Sequence, residues 1–201
     1  TYRTRFEELN GTGRYLARAF DDRVGLAAIT EVLRQVKGAS LPCTVEVAAT
    51  VQEEIGLRGA MTVYPGTRPD LVINLEIGIA ADFPLLTSPK LAQEALGKGP
   101  ALFIFDGSMI PNNRLVEWTV GLARAEKIPL QFSSVTGYGE DGAALQKSGE
   151  GVPAINLGVP TRYAHSQSSV IDRADYDALV KLLVKMVQRL DAGQVKAIRE
   201  F

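Results

Sequence analysis

Two adjacent glutamates, Glu53 and Glu54, close the apolar run 45–51 and open the loop 55–59. A buried strand that ends on two carboxylates needs positive charge nearby, because an uncompensated buried charge is costly. A divalent cation supplies that charge at close range. A solvated turn would also tolerate both residues, since acidic side chains are common where strands end. The pair therefore indicates either a metal site or an ordinary polar turn.

Two aspartates stand directly before a helical pattern. Asp21 and Asp22 precede apolar residues that recur at the spacing of one helix face, namely Val24, Ala28, Ile29, Val32, Leu33 and Val36. The best interpretation of one of the two aspartates is a helix N-cap. The other remains available as a metal ligand.

Further ligand types follow two predicted strands. Glu76 closes the apolar run 71–75, and His165, the only histidine, follows the apolar run 152–159. A single histidine usually has a structural role, because most imidazoles bind no metal. In an open α/β sheet, however, the carboxyl ends of strands and the helix starts beyond them converge on one crevice. The acidic and imidazole groups together predict a shared site.

Strand and helix patterns alternate along the chain. We predict strands at 43–51, 71–75, 101–105, 128–133 and 152–157, and helices at 24–36, 113–126, 143–147 and 174–191, with a short helix or turn near 59–64. This alternation predicts an α/β fold with a mostly parallel or mixed central sheet that helices cover on both faces. Two loops interrupt it. The loop 77–100 is long, and the loop 136–142 is rich in glycine, as in a flexible turn or a backbone that approaches a substrate.

Composition narrows the class of protein. With 201 residues, of which 46% are hydrophobic, the chain suits one large domain or most of one. A formal net charge of -1 gives no reason to expect nucleic acid or an anionic membrane as a partner. Cys43 is the only cysteine and is predicted to be a buried structural thiol. No apolar run approaches the roughly 20 residues of a membrane span, and the first residues are polar, so we predict a cytoplasmic protein.

Four motifs carry a resemblance to a known family. In their order along the chain, the motifs resemble those of the tetrahedral metallo-aminopeptidases, the glutamyl and deblocking aminopeptidases related to FrvX and YpdE; they lie at 19–25, 51–60, 96–100 and 162–166. That family belongs to the clan of dinuclear-zinc exopeptidases. The resemblance implies a three-layer α/β/α zinc-exopeptidase-like domain and a pair of divalent metal ions in each subunit.

The resemblance also implies a metal-ligand set. Asp21 resembles the carboxylate that bridges both ions, Glu54 the terminal ligand of one ion, and His165 the imidazole that completes that site. Glu76 stands where the family usually has an aspartate on the second ion. Because the set is rich in oxygen with one imidazole per metal, zinc or cobalt suits it best, with manganese as a further option.

Other site residues follow from the same comparison. Glu53 resembles the general base, and Asp22 supports the neighbouring bridging aspartate. Where the family has a Gly-Gly-Thr-Asp type of motif, this chain has the partial match 139–142, so Asp141 is a weaker candidate for contacts on the substrate side.

One departure concerns the start of the domain. The family has a second histidine ligand in an early His-x-Asp motif, followed by an inserted dimerisation domain, and this chain has no second histidine. We therefore predict that residues 1–15 are the exit from that inserted domain and that residues 16–201 are the carboxyl-terminal portion of the catalytic domain. One metal site is then complete within the chain, whereas the other has only Asp21 and Glu76.

The resulting functional hypothesis is a metal-dependent aminopeptidase that trims oligopeptides. The resemblance implies a homododecamer built from dimers, whose chamber admits short unfolded peptides. Two alternatives remain, namely another hydrolase of the same clan, such as an amidase, deacylase or carboxypeptidase, and a non-catalytic assembly module. The presence of both Glu53 and Glu54 disfavours the module, because a scaffold needs no base beside a ligand.

Overall fold

The computed structural model describes residues 5–83 and 93–200. Its strands are β1 (Glu7–Glu8), β2 (Arg14–Ala17), β3 (Val72–Ile79), β4 (Ala101–Phe105), β5 (Gln131–Ser134), β6 (Ala154–Arg162) and β7 (Ser169–Asp172). Its helices are α1 (Phe20–Val36), α2 (Tyr64–Thr67), α3 (Asn113–Ala125), α4 (Asp141–Gln146), α5 (Arg173–Arg189) and α6 (Ala192–Arg199). Short 3₁₀ turns lie at Glu53–Ile55 and Ala60–Thr62.

The strands form one mixed sheet. In the described part of the chain the sheet has seven strands: six follow the order β1-β2-β7-β6-β4-β5, and β3 pairs with β6 outside this order. The pair β3–β6 is parallel over the whole length of β3, and β4 is parallel to β5. By contrast, β6 is antiparallel to both β4 and β7. A mixed sheet agrees with the predicted fold class.

Alternate side chains of the sheet enter different layers, because successive residues of a strand point to opposite faces. In β6, Ile155 and Leu157 join the large core formed with α1, α3, α5 and α6. Ala154 instead packs in a smaller core with α4 and the 60–62 turn. Helices thus cover both faces, as predicted. By the same alternation, Glu76 of β3 lies on the α4 face, opposite its neighbour Ile77.

Asp175 fixes the loop before β4. Its carboxylate is fully buried and accepts hydrogen bonds from the amides of Gly97, at 2.8 Å, and Gly99, at 2.6 Å. Gly99 has a φ of +95°, and a Cβ there would lie 2.4 Å from the carbonyl oxygen of Pro129. The motif at 96–100 is therefore explained as a glycine turn that holds β4 against the start of α5.

The predicted strand at 43–51 is wrong. Residues 43–50 have no regular secondary structure, and no described strand pairs with them. A strand needs a neighbouring ladder to satisfy its backbone amides and carbonyls. A cleft of about 1200 Å³ is lined by both this segment and β3. Consequently Val47 is 49% exposed and Val51 is 66% exposed, so the apolar run does not form a buried strand within this chain.

Several boundaries differ from the predictions. The strand predicted at 71–75 continues to Ile79, and the strand predicted at 152–157 continues to Arg162. The strand predicted at 128–133 begins only at Gln131, and the last predicted helix ends at Arg189. The short strands β1, β2 and β7 and the terminal helix α6 were not predicted, because most of these elements span too few residues for a clear periodicity.

Two further predictions concern residues 1–15 and the loop 77–100, and the division of the chain at residue 15 stays a prediction. The proposed boundary between residues 15 and 16 lies inside β2, which pairs with β7 in the main sheet. In the loop predicted at 77–100, the first residues continue β3, and residues 84–92 lie outside the described residues. None of the helices in the described part of the chain combines the length and apolar character needed to cross a bilayer.

Candidate metal centre

Three predicted ligands meet at one point. Nε2 of His165 lies 3.0 Å from Oδ2 of Asp21 and 3.6 Å from Oε2 of Glu54. One ligand atom from each residue lies within 4.8 Å of the other two. Ligand atoms that share one tetrahedral zinc ion, at roughly 2.1 Å from it, are roughly 3.4 Å apart. The two carboxylates and the imidazole therefore fit a single divalent cation.

The backbone around these ligands is unusual. The peptide bond between Asp21 and Asp22 is cis, and neither aspartate has helical backbone angles. Positive φ angles occur at Ala19 (58°), Gln52 (60°) and His165 (55°), none of which is glycine. Such angles cost free energy and cluster at functional sites, where the surrounding structure enforces them. Each ligand of the centre thus has, at itself or within two positions, a backbone conformation that L-residues rarely adopt.

Asp22 caps helix α1. Its Oδ1 accepts a hydrogen bond at 3.0 Å from the amide of Gly25, three residues further on. A Cβ at Gly25 would overlap the Asp22 carboxylate at 2.1 Å, so glycine leaves room for this contact. The regular helix therefore begins after Asp22. The interpretation of one aspartate as an N-cap is confirmed, and Asp21 keeps its carboxylate for the centre.

A compact loop presents the two glutamates. Glu53 and Glu54 occupy the 3₁₀ turn, and the carbonyl of Glu53 accepts a hydrogen bond at 2.9 Å from the amide of Leu57. The amide of Gly59 closes the loop by donating to the carbonyl of Val51 at 2.9 Å. A Cβ at Gly59 would lie 2.5 Å from the amide nitrogen of Val51, so this closure requires glycine. The motif at 51–60 is a loop that holds Glu53 at the wall of the cleft and Glu54 beside His165.

Asp141 contacts the segment that leads into this loop. The side chain of Asp141 is buried at the first residue of α4 and accepts a short hydrogen bond from the Thr50 hydroxyl. The other carboxylate oxygen of Asp141 has no hydrogen-bond partner among the described residues. The contact joins α4 to the residue that precedes the glutamate loop. Asp141 thus lies beside the predicted base rather than out in solvent.

The carboxylates raise one another's pKa values. Burial, and then the charges of Asp141, Glu54 and Asp21, together raise the pKa of Glu53 to about 7. Burial and the charge of Glu54 likewise raise the pKa of Asp21. Like charges at close range disfavour ionisation, whereas a bound cation favours it. The electrostatics of the cluster are those of a site that gains stability from a divalent ion.

Glu76 lies deeper, beside a different aspartate. Its side chain is 7% exposed, and its Oε2 accepts a hydrogen bond at 3.2 Å from the amide of Ile77. Burial raises the pKa of Glu76 to about 10, and the charges of Asp22 and Glu140 contribute next. Glu76 is not part of the close group formed by Asp21, Glu54 and His165. Its assignment to a second ion stays a prediction.

Glu140 and Asp106 were not predicted as part of this region. Glu140 is 1% exposed, and neither of its carboxylate oxygens has a hydrogen-bond partner in the described part of the chain. Burial, and then the charge of Asp106, raise the pKa of Glu140. The Asp106 carboxylate accepts hydrogen bonds from the side-chain amide of Asn156 at 2.8 Å and from the backbone amide of Met109 at 2.6 Å. The sequence did carry a signal for Asp106. It directly follows the predicted strand 101–105, in the same way that Glu76 follows the apolar run 71–75.

Comparison with known proteins assigns the chain to a family. The sequence model of the M42 glutamyl aminopeptidases matches residues 1–182. The chain belongs to the M42 family. It is similar to the FrvX protein of Escherichia coli (strain K12), with 36% identity over 191 residues that cover 95% of this chain and 53% of that protein. The family predicted from the four motifs is confirmed.

Two solved structures of TET peptidases have the same fold. The TET aminopeptidase of Thaumarchaeota archaeon SCGC AB-539-E09 superposes with a TM-score of 0.93 and 36% identity, covering 97% of this chain and 55% of that one. The TET1 peptidase of Pyrococcus horikoshii, which can assemble into a tetrahedron or a large octahedral shell, gives a TM-score of 0.80 and 31% identity, covering 94% and 54%. These similarities confirm the three-layer α/β/α zinc-exopeptidase-like fold.

The matches cover nearly all of this M42 chain but only about half of each curated relative. The close group of Asp21, Glu54 and His165 lies entirely within that half. The activity of the whole protein, its substrates and its partners are therefore taken up as proposals.

Proposed function

We propose that the whole protein is a metal-dependent aminopeptidase that removes amino-terminal residues from oligopeptides. The observation that carries the proposal is the close group of Asp21, Glu54 and His165, with Glu53 next to one of its ligands. Membership in the M42 glutamyl aminopeptidase family supports it. A solvated acidic turn would not bring an imidazole within 3.0 Å of a half-buried aspartate from another part of the chain.

Asp21, Glu54 and His165 would hold one divalent ion, and Asp21 would share a carboxylate with a second ion that Glu76 helps to bind. Bound ions of this kind polarise a scissile carbonyl and lower the pKa of water. The donor set of carboxylates with one imidazole suits zinc or cobalt, and manganese next, better than an ion that prefers thiolates. With no thiol in this cluster, a copper(I) or iron–sulfur site does not fit.

Glu53 is proposed as the general base. It stands beside Glu54 without belonging to the close ligand group, so its carboxylate is free to move a proton. We infer that it accepts a proton from the attacking water and then donates it to the leaving amine. Catalysis of this type is most efficient when the pKa of the base lies near the working pH, and burial moves the pKa of Glu53 upward towards that range.

The acidic surroundings also favour a free amino terminus. A peptide α-ammonium group carries a positive charge at neutral pH, and carboxylates at the inner end of a pocket stabilise it. Glu53 and Asp141 lie on the wall of the same cleft as Asp21. We infer that the α-amino group binds among these carboxylates, which would restrict cleavage to the first peptide bond.

Assembly is proposed from the relatives. The Pyrococcus horikoshii TET1 peptidase can form a tetrahedron or an octahedral shell, and we propose a homododecamer built from dimers for this protein. Active sites enclosed in such a particle would receive short unfolded peptides and exclude folded proteins. The cytoplasmic location predicted from the sequence stays a prediction.

The test of the proposed function is an assay of the full-length protein. Its metal content would be measured, and a panel of aminoacyl-p-nitroanilides would be compared with the same compounds carrying an acetylated amino group. We expect hydrolysis that requires the metal and a free amino group. Equal cleavage of the acetylated compounds, or activity that persists after chelation, would contradict the proposal.

A further inference from the structure

His165 has little side-chain support of its own. It lies in the loop between β6 and β7, and its side chain is 66% exposed. Metal-binding histidines usually donate their second ring nitrogen to a carboxylate, a carbonyl or water, which orients the ring. No hydrogen bond to Nδ1 of His165 occurs within the described ranges 5–83 and 93–200. The orientation of the ring must then depend largely on the conformation of the loop backbone.

An ion pair holds the start of this loop. Arg162, the last residue of β6, donates from Nε to Oδ1 of Asp82 at 2.6 Å and from one terminal nitrogen to Oδ2 at 2.8 Å. The same nitrogen donates to the backbone carbonyl of Asp82 at 2.9 Å. The two side chains are only 16% and 25% exposed. A bidentate arginine–carboxylate pair with this burial has one well-defined geometry.

Asp82 is itself held by the backbone. Its Oδ2 accepts a hydrogen bond at 3.1 Å from the amide of Leu96, which is buried. Nearby, Ala80 forms an isolated parallel bridge with Glu94. The carboxylate therefore connects Arg162 to a fixed part of the sheet edge and not to a free side chain.

A second contact continues from the ion pair towards the histidine. The ring of Phe83 packs on the ring of Tyr163, with centroids 5.0 Å apart. Tyr163 has a φ of 59° and His165 a φ of 55°, so the loop uses two backbone conformations that are unfavourable for L-residues. The hydroxyl of Ser166 lies 2.7 Å from the carbonyls of both Tyr163 and Ser168 and can donate to either.

We propose that Asp82 and Arg162 are positioning residues for the metal ligand His165, acting together as a clamp that holds the β6–β7 loop in its ligand-presenting conformation. The proposal rests on the proposed metal centre. It names Asp82, which lies outside the four motifs, and it gives a role to Arg162, the first residue of the motif at 162–166, that the resemblance did not assign. The clamp would act through the loop backbone, since among the described residues no hydrogen bond or ion pair joins Arg162 to the imidazole.

The hairpin itself does not require the clamp. Antiparallel pairing of Thr161 with Ile171 and of Arg162 with Val170 already joins β6 to β7. Loss of the ion pair should therefore leave the strands paired while the six residues between them, 163–168, sample more conformations. Fewer of those conformations place the imidazole beside Asp21, so the apparent affinity for metal should equal the wild-type affinity multiplied by the fraction of molecules that remains competent.

The experiment uses the full-length protein after metal removal. Zinc and cobalt would be titrated separately into the wild type, Asp82→Ala, Arg162→Ala and the double variant. We expect each single variant to bind one ion about tenfold more weakly, the low end of the effect of residues that support metal ligands. The double variant should bind metal no more weakly than either single variant, because each single change already breaks the same ion pair. Arg162→Lys should not restore affinity, since an ammonium group cannot form the bidentate contact.

Controls separate positioning from general stability. Arg173→Ala removes a 2.7 Å ion pair with Asp177 on the surface of α5 and should leave metal affinity unchanged. Asp82→Asn keeps the shape of Asp82 and the acceptor for the Leu96 amide, so it remains informative if Asp82→Ala fails to fold. The imidazole NMR signals of the zinc-bound protein, with the His165 signal assigned by its absence in His165→Ala, should broaden or shift in Arg162→Ala.

The results distinguish two failures. If Arg162→Ala and Asp82→Asn bind both ions with wild-type affinity, and the melting temperature alone falls, the clamp is structural and the inference is wrong. If the wild type binds metal and the clamp variants weaken it, but no substrate with a free amino terminus is cleaved, the proposed aminopeptidase function fails while the inference on Asp82 and Arg162 stands.

Discussion

Nε2 of His165 lies 3.0 Å from Oδ2 of Asp21. The two residues are far apart in sequence, because Asp21 lies at the start of α1 and His165 follows β6. The pairing of β6 with β3 on one edge and with β7 on the other brings the β6–β7 loop to the start of that helix. Neither residue can bind a shared ion before these strands have paired. Metal binding at this centre should therefore report on the folded state, and the bound ion should stabilise that state through mass action.

The first prediction concerns Glu53. Because this carboxylate is proposed to move protons and does not belong to the close ligand group, Glu53→Gln in the full-length protein should lower kcat by about 100-fold or more. Metal stoichiometry, measured by elemental analysis, should stay near that of the wild type. Glu117→Gln, at an exposed position of α3, is the matched control and should change neither quantity. A Glu53→Gln variant that keeps full activity with its metal bound would show that another group is the base.

The second prediction concerns the ligands. His165→Ala and Glu54→Ala each remove one of the three ligands that meet at one point, so each should weaken binding of the same ion. Glu76→Ala should affect that ion less, because Glu76 lies outside the close group. Competition titrations with a chelator of known affinity measure both ions. Equal weakening of both ions by all the variants would argue against this division, although Asp21 is expected to couple the two sites.

The third prediction concerns pH. Burial raises the pKa of Glu53 to about 7 and that of Asp22 to about 8, and both exceed the values in an unfolded chain. The folded protein without metal therefore holds protons that the unfolded chain has released. Its free energy of unfolding should fall as pH rises from about 5 towards 8, because over this range the folded state binds more protons than the unfolded chain.

Melting temperatures of the metal-depleted protein at several pH values test this expectation. Glu53→Gln should flatten the decline between about pH 5 and 7, because the amide does not titrate. Added zinc should stabilise the protein more at pH 8 than at pH 5, since ionised carboxylates are the form that binds metal. A melting temperature that rises steadily with pH before metal is added would contradict the electrostatic account of the cluster.

The fourth prediction compares two glycines. A Cβ at Gly158, inside β6, would lie 2.9 Å from the amide nitrogen of Gly78 and 3.0 Å from the Phe103 ring. The paired strand cannot shift away, so Gly158→Ala should destabilise the protein by about 1–3 kcal/mol, as overpacking does. Gly121 is exposed on α3 and has nothing within 4 Å of its ideal Cβ. Gly121→Ala should stabilise the protein by about 0.5–1 kcal/mol.

Denaturant unfolding of both variants, monitored by circular dichroism, checks the contrast. If Gly158→Ala were neutral, the close approach of β6 to β3 and to Phe103 would be less tight than the structure describes.

The sequence by itself determined the family and most of the element order. Local patterns were sufficient for this: helix-spaced apolar residues predicted α1, an apolar run predicted β4 within its observed bounds, and the motif with Glu53 and Glu54 indicated the metal chemistry. Each of these signals depends on neighbours in the chain. Periodicity and turn chemistry are local properties, so they can be read without knowledge of the fold.

Only the tertiary structure decided which residues meet. The apolar run 43–51 has the pattern of a strand, but a strand forms only where another strand offers its backbone groups, and no described strand does so. The hydrogen bond from Thr50 to Asp141 and the ion pair between Asp82 and Arg162 likewise join parts of the chain that lie far apart in sequence. The burial of Glu140 also depends on residues that are distant in sequence. Such contacts depend on strand order and register. These are set by the packing of the whole sheet and not by the residues on either side of each position.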